Sequence, residues 1–234
     1  MKLRHAALLA LLGITFSTAV GLAADNQLTD QEKKDGWILL FNGKDYTGWQ
    51  CSNGKEVASE VVDGAMQPYK SGGYLVVYKE QFGDFILKCD VKMPNPCNSG
   101  LFFRVEDLGN PVHTGFEIQV ATGEGTTCHD FGAIYDIVPL KKNATKGPDV
   151  WNNIELKCQG PNVSVKLNGE LVCEMDADEF DQPGERAVPG DHKYKDKKTR
   201  SKRAIKDFAR KGYLGFQDHG HPVWFKNVKL LPLK

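Results

Sequence analysis

The chain has 234 residues, of which 41% are apolar, and its 30 Lys+Arg balance 30 Asp+Glu. That apolar share supports a packed core and excludes wholesale disorder. The balanced charge gives no global reason to bind nucleic acid, and the length allows one large β-type domain or two small ones.

The first segment reads as an export signal, residues 1–24. Lys2 and Arg4 precede an apolar run from Ala6 to Leu22, and small residues follow, with cleavage expected after Ala23 or Ala24. The run is just long enough to span a bilayer, so an uncleaved anchor is the alternative. Cleavage takes Lys2 and Arg4 away and leaves 28 Lys+Arg against 30 Asp+Glu. The expected product is periplasmic or secreted, without stable membrane insertion, and forms one domain over residues 25–234.

Along that domain, Asp30–Lys34 suggests a single helical turn, and Ile38–Phe41, Glu60–Met66 and Tyr74–Val77 suggest strands. Phe85, Leu87, Cys89 and Val91 alternate with Ile86, Lys88, Asp90 and Lys92, the period of a half-buried strand. Gly100–Arg104 and Phe116–Val120 follow. Ile154, Leu156 and Cys158 then repeat the alternation, as do Val163, Val165 and Leu167. Asn168-Gly169 after Leu167 and before Leu171-Val172-Cys173 is a strong hairpin signal. From Asp191 to Lys211 there are ten Lys or Arg against three Asp. That run reads as a solvated excursion between strands, with polyanion binding as the alternative. Ala204–Arg210 suggests another helical turn. Val223, Phe225, Val228 and Leu230 supply a closing strand. Many strands, Gly/Asn/Pro punctuation and little helix imply an all-β sandwich of two antiparallel sheets.

Six cysteines could make three disulfides in an exported protein. Cys89, Cys158 and Cys173 fall on apolar sides of alternating segments and read as small buried hydrophobes. Cys51, Cys97 and Cys128 lie in loop-like sequence, where a Cys97–Cys128 bridge is conceivable. No Cys-x-x-Cys pair occurs, which argues against a structural zinc site.

Five motifs in order carry a resemblance. They are Leu39–Trp49 (LLFNGKDYTGW), Asn98–Arg104 (NSGLFFR), Gly115–Val120 (GFEIQV), Gly132–Pro139 (GAIYDIVP) and Gly215–Val228 (GFQDHGHPVWFKNV). Together they resemble the 3-keto-disaccharide hydrolase family over nearly the whole expected domain. The resemblance implies a concanavalin A-like jelly roll and chemistry on glycosides oxidised at C3. It further implies 3-keto-glucoside 1,2-lyase activity or hydration of the 3-keto-2-hydroxyglucal product.

A ketone at C3 acidifies the C2 proton, and its loss can expel the group at C1. Such a site needs a base near C2, a donor for the leaving oxygen and stabilisation of the enolate. Glu117 is the first candidate base, since Glu117 and Gln119 share one face of their strand and Phe116, Ile118 and Val120 the other. Arg104, in alternation with Phe102, Gly100 and Asn98, would bind the keto oxygen or pair with Glu117. His219 is the candidate acid–base histidine, with Gln217, Asp218 and His221 beside it on a polar rim. A divalent metal is possible, held by His219 and His221 with Asp218 or with His129 and Asp130, although the spacing is not diagnostic. No other cofactor is indicated. Tyr135 and Trp224 would stack on a saccharide ring, while Trp37 and Trp49 read as packing residues.

Three functional readings compete: a 3-keto-glycoside lyase or hydratase, a non-catalytic carbohydrate-binding module, and a two-carboxylate glycosidase using Asp218 or Asp130 as its second acid. The proton-transfer set favours the first. In each case the expected partner is a small saccharide.

Overall fold

The computed structural model describes residues 24–183 and 203–234. The expected signal lies outside these residues, apart from Ala24, and so does most of the basic segment. Among the described residues, no helix is long and apolar enough to cross a membrane. Helix α1 (Asp30–Asp35) is fixed at its start by Thr29, whose hydroxyl accepts from the Glu32 N–H while the Glu32 carboxylate accepts from the Thr29 N–H. It stops at Gly36, where φ is +89°.

Strands β1 (Ile38–Leu39), β2 (Trp49–Cys51), β3 (Leu75–Tyr78), β4 (Phe85–Lys92) and β5 (Asn98–Val105) come next. A short helix α2 (Pro111–Thr114) precedes β6 (Phe116–Ala121). The remaining strands are β7 (Asn152–Gln159), β8 (Asn162–Leu167), β9 (Glu170–Asp176), β10 (Tyr213–Gln217) and β11 (Trp224–Pro232). They form two antiparallel sheets, β1-β11-β4-β7-β8-β9 and β2-β3-β10-β5-β6, the jelly-roll sandwich the sequence implied. β7 and β8 join through Gln159–Asn162. β8 and β9 join at Asn168-Gly169, both with positive φ (54° and 85°), as a primed hairpin turn requires.

The core lies between the sheets. Phe216 of β10 stacks on Phe225 of β11 with centroids 3.9 Å apart, and Trp49 stacks on the same Phe216 at 5.6 Å. Ala204–Arg210 contains a 3-10 turn, Ile205–Asp207. Glu60–Met66 is not a strand. Asp63 and Gly64 both have positive φ and fold Val62 back onto Ala65 in a tight turn, leaving Met66 a single bridge to Phe225. All six cysteines are free and buried, so no Cys97–Cys128 bridge forms.

Two bulges decide which way side chains face. In β5, Tyr213 pairs with Val105 but Gly215 pairs with Phe102, so β5 carries one extra residue. Arg104, at φ +51°, is within that interval. The bulge turns Arg104 away from the outer face occupied by Phe102 and Val105. Its fully buried guanidinium instead pairs with Asp84 at 2.8 Å and donates to Gly160 O (2.8 Å) and Gly83 O (3.3 Å). Asp84 also accepts from the Gly160 N–H at 3.0 Å. Arg104 therefore ties the five-stranded sheet to the ends of β4 and β7. In β11 the second bulge, at Asn227 (φ 54°), accounts for the three-residue step from Phe225 to Val228.

Removing Arg104 alone would leave Asp84 without its cation and the Gly83 and Gly160 carbonyls without this donor. Arg104→Met should cost about 3 kcal/mol in urea unfolding. A loss below about 1 kcal/mol would show that the sheets do not depend on this strap.

Candidate active site

The outer face of the five-stranded sheet holds the candidate site, centred on Gly100. Leu101 and Phe103 of β5 point into the main core, whereas Phe102 joins a small outer cluster with Leu75, Val77 and Val105. Gly100 shares the outer parity of Phe102. On one side, β6 sets Gln119 opposite Gly100 and Glu117 opposite Phe102. On the other, β10 pairs Phe216 with Leu101, which brings Gln217 alongside Gly100. Two glutamines thus flank a residue with no side chain.

The space above Gly100 is taken by Glu117. A Cβ at position 100 would stand 2.0 Å from Glu117 Oε1 and 2.7 Å from its Cδ, so the carboxyl lies across the glycine. Glu117 is only 7% exposed. Among the described residues, no cation or hydrogen-bond donor pairs with its carboxyl. Burial alone holds the group well above the usual carboxylate range.

The glutamines are oriented by their amide nitrogens. Gln119 Nε2 donates to Asn98 Oδ1 (3.3 Å), and Gln217 Nε2 donates to the Tyr74 hydroxyl (2.6 Å). Both Oε1 atoms are buried and, among the described residues, accept no hydrogen bond. An unsatisfied buried acceptor is costly. Two of them beside one carboxyl form a site suited to a ligand that supplies hydroxyl or amide donors.

Residues 132–135 extend the sheet past β6. Gly132 N donates to Gln119 O (2.9 Å), Gln119 N to Ala133 O (3.0 Å) and Tyr135 N to Glu117 O (2.8 Å), with Ile134 bridging Ile118. This backbone ladder places Tyr135 beside Glu117. The His129 ring meets Tyr135 edge-on at 5.2 Å, and its Nε2 lies 3.9 Å from Asp136 Oδ1.

A family model described as a 3-keto-α-glucoside-1,2-lyase-like domain matches residues 36–231. The chain belongs to this family. A 3-keto-disaccharide hydrolase of Bacteroides thetaiotaomicron is 22% identical, over 94% of this chain and 86% of that protein. Two solved structures of proteins described as glycosyl hydrolases, both from Parabacteroides distasonis, share the fold. One has a TM-score of 0.71 at 29% identity, covering 90% of this chain and all of its own. The other has a TM-score of 0.68 at 25% identity, covering 84% and 99%.

Within this family member, the fold gathers Glu117, Gln119, Asn98, Gln217, Tyr135 and His129 on one face. It does not bring Arg104 there, because the β5 bulge commits that guanidinium to Asp84; an Arg104–Glu117 pair does not exist. Trp224 is also elsewhere. Its neighbour Phe225 faces the core, so Trp224 projects from the opposite sheet, with Lys92 Nζ 5.3 Å from its ring centre.

The expected rim is a loop directly after Gln217. Asp218 accepts from the Lys70 and Gly220 N–H groups (2.8 and 3.0 Å), so its carboxylate shapes the turn. His219 is exposed and makes no hydrogen bond or ion pair among the described residues. His221 is half-buried, with Nδ1 unpartnered there. Asp130 closes its own loop, accepting from Thr127 N and Oγ1, both at 2.7 Å. These groups do not converge as a metal set: His219, His221, Asp218 and Asp130 fall in no cluster close enough to share an ion.

Two members of the site escape the sequence reading. Gly100 matters through the side chain it lacks. Tyr74, just ahead of β3, reaches Gln217 and packs edge-on against Phe102 at 6.1 Å. Its strand parity would have sent it inward with Val76, so no sequence signal marks it.

Burial of Glu117 has a thermodynamic consequence. The folded state binds its proton more tightly than the unfolded chain, for which the reference value is 4.5. That stabilisation is complete below the unfolded value and is lost as pH rises through the raised folded one. Glu117→Gln removes the loss. Its melting temperature should exceed the wild type's by several degrees at about pH 8, and the gain should shrink towards zero at about pH 4. Calorimetry showing a pH-independent difference would mean that the carboxyl is not desolvated.

Proposed function

We propose that the protein is a carbohydrate-active enzyme that cleaves or hydrates 3-keto-glycosides, with Glu117 as its proton-transfer group. The observation that carries the reading is the Glu117 carboxyl lying across Gly100 between two buried, unpartnered glutamine oxygens. The family membership and the named relatives supply the substrate class.

The chemistry fits the groups present. A desolvated carboxylate is a stronger base than an exposed one, which is what removal of a proton α to a ketone demands. Gln119 Oε1 and Gln217 Oε1 would accept from sugar hydroxyls on either side of the reacting carbons and fix the ring over Glu117. Glu117 takes the C2 proton and the electron pair moves into the C2–C3 enolate; collapse of the enolate restores the C3 ketone, forms the C1–C2 double bond and breaks the C1–O bond, whose oxygen leaves with the pair and takes up a proton. Tyr135, which the backbone ladder sets beside Glu117, is a group able to donate to the enolate or leaving oxygen. Hydration of the resulting double bond would run the same proton transfers in reverse. Arg104 takes no part, and hydrogen bonding and exclusion of water would stabilise the developing charge at Glu117.

The test is to incubate the purified protein with 3-keto-glucosides and with their unoxidised parents. Turnover of the keto compounds alone is expected, falling about 100- to 10,000-fold in Glu117→Gln. Tight saccharide binding without turnover of either would replace this reading with that of a binding module. The acid limb of the kcat/KM profile should sit above the ordinary glutamate value of 4.5, since the base must lose a proton that burial retains.

Gly100→Ala offers a finer probe. Position 100 has no positive φ, so alanine suits the backbone, but its methyl would displace the carboxyl. The variant should stay folded by circular dichroism and lose about 100-fold in kcat/KM. Unchanged kcat/KM in Gly100→Ala would exclude the hollow as the reaction site.

A further inference from the structure

The loop that carries His129 to the edge of the sheet also assembles a second chemical group. Cys128 Sγ lies 4.0 Å from His129 Nε2, His129 Nε2 lies 3.9 Å from Asp136 Oδ1, and the three ligand atoms all fall within 4.8 Å of one another. We propose that Cys128, His129 and Asp136 bind a zinc-class divalent cation.

The backbone builds this cluster. The Asp136 N–H donates to Cys128 O at 3.2 Å, and Asp136 takes a left-handed φ of 56°, closing the loop onto the cysteine. Thr127 Oγ1 accepts from the His129 N–H at 3.1 Å and is itself held by Asp130. Three ligands to one tetrahedral zinc, with bonds of about 2.0–2.3 Å, stand roughly 3.3–3.8 Å apart. The observed separations need only a small closing movement to reach that range.

Donor chemistry selects the class of ion. A thiolate, an imidazole and a carboxylate suit a borderline cation such as zinc or cobalt, whereas magnesium and calcium demand oxygen ligands throughout. The cysteine end is enclosed, at 4% exposure, while the side chains of His129 and Asp136 are 23% and 18% exposed. A fourth coordination position would therefore open towards solvent. Three protein ligands and one open position is the arrangement of a catalytic rather than a structural zinc site.

The proposal does not rest on the 3-keto-glycoside reading, and its test is spectroscopic. Metal-stripped protein is titrated with cobalt(II) while the near-ultraviolet and visible spectra are recorded. Binding of one equivalent is expected, with a thiolate-to-cobalt charge-transfer band and visible bands of tetrahedral intensity. Cys128→Ser should abolish the charge-transfer band. His129→Ala and Asp136→Asn should each weaken zinc at least about tenfold in competition with a chromophoric chelator. The partly exposed His129 and Asp136 keep the test usable if the buried cysteine variant does not fold. Absence of stoichiometric cobalt, a charge-transfer band that survives in Cys128→Ser, or unchanged zinc affinity in both other variants would each overturn the site.

Discussion

Everything in the candidate site depends on one missing side chain. In a regular sheet, the residue between Gln119 and Gln217 would carry a Cβ and fill the outer face with its own atoms. At Gly100 it does not, and the carboxyl of Glu117 takes the space, so close that even a methyl group could not share it. The glycine therefore does two jobs. It lets a carboxyl lie against the outer face of the sheet, where burial excludes water, and it leaves the flanking amides on either side of that carboxyl. Desolvation then raises the proton affinity of Glu117 without help from a neighbouring charge.

β5 uses its two ends in opposite ways. At the bulged end, Arg104 turns inwards and each of its three guanidinium nitrogens donates, to Gly83, Gly160 or Asp84. Its charge is fully committed to holding the sheets together. At the flat end, Gly100 and Asn98 border the Glu117 carboxyl and the Oε1 atoms of both glutamines, which accept no hydrogen bond among the described residues. Satisfied polar groups stabilise and unsatisfied ones cost, so the second arrangement is worth retaining only where a ligand completes it. The contrast along a single strand separates the structural end from the chemical one.

The same contrast explains what the sequence disclosed. β4, β7 and β8 were legible because each buries one face, and alternation of Leu, Cys and Val with charged residues follows directly. The second and tenth strands were not. Tyr213–Gln217 is buried on both faces, so it shows no alternation, and its glycine reads as a breaker. Glu117 and Gln119 were identified because they are polar residues in an otherwise apolar strand, and Gln217 because it stands beside His219 in a polar run. Arg104 and Trp224 were misplaced for a geometric reason. Parity counting assumes an unbroken pleat, and the bulge in β5 reverses it at Arg104. Trp224 obeys parity but belongs to the other sheet, a fact about long-range pairing that local sequence does not contain. Tyr74 and Asp136 act from turns, where no period applies.

The edge of the five-stranded sheet shows how such a site stays both rigid and reachable. β6 is the last strand on that side, and an exposed edge invites pairing with other chains. Here residues 132–135 cap it with three backbone hydrogen bonds, so the edge is closed by the protein's own loop. The capping segment continues into Tyr135 and Asp136, and the turn before it carries Cys128 and His129. Closing the edge and delivering these side chains are therefore a single structural act. The carboxyl is held by the sheet, where positions are fixed by the ladder, and its neighbours are held by a loop whose anchor is that same ladder. A shift of the loop that moved Tyr135 would have to break its bond to Glu117 O, so the two halves of the site keep their register together.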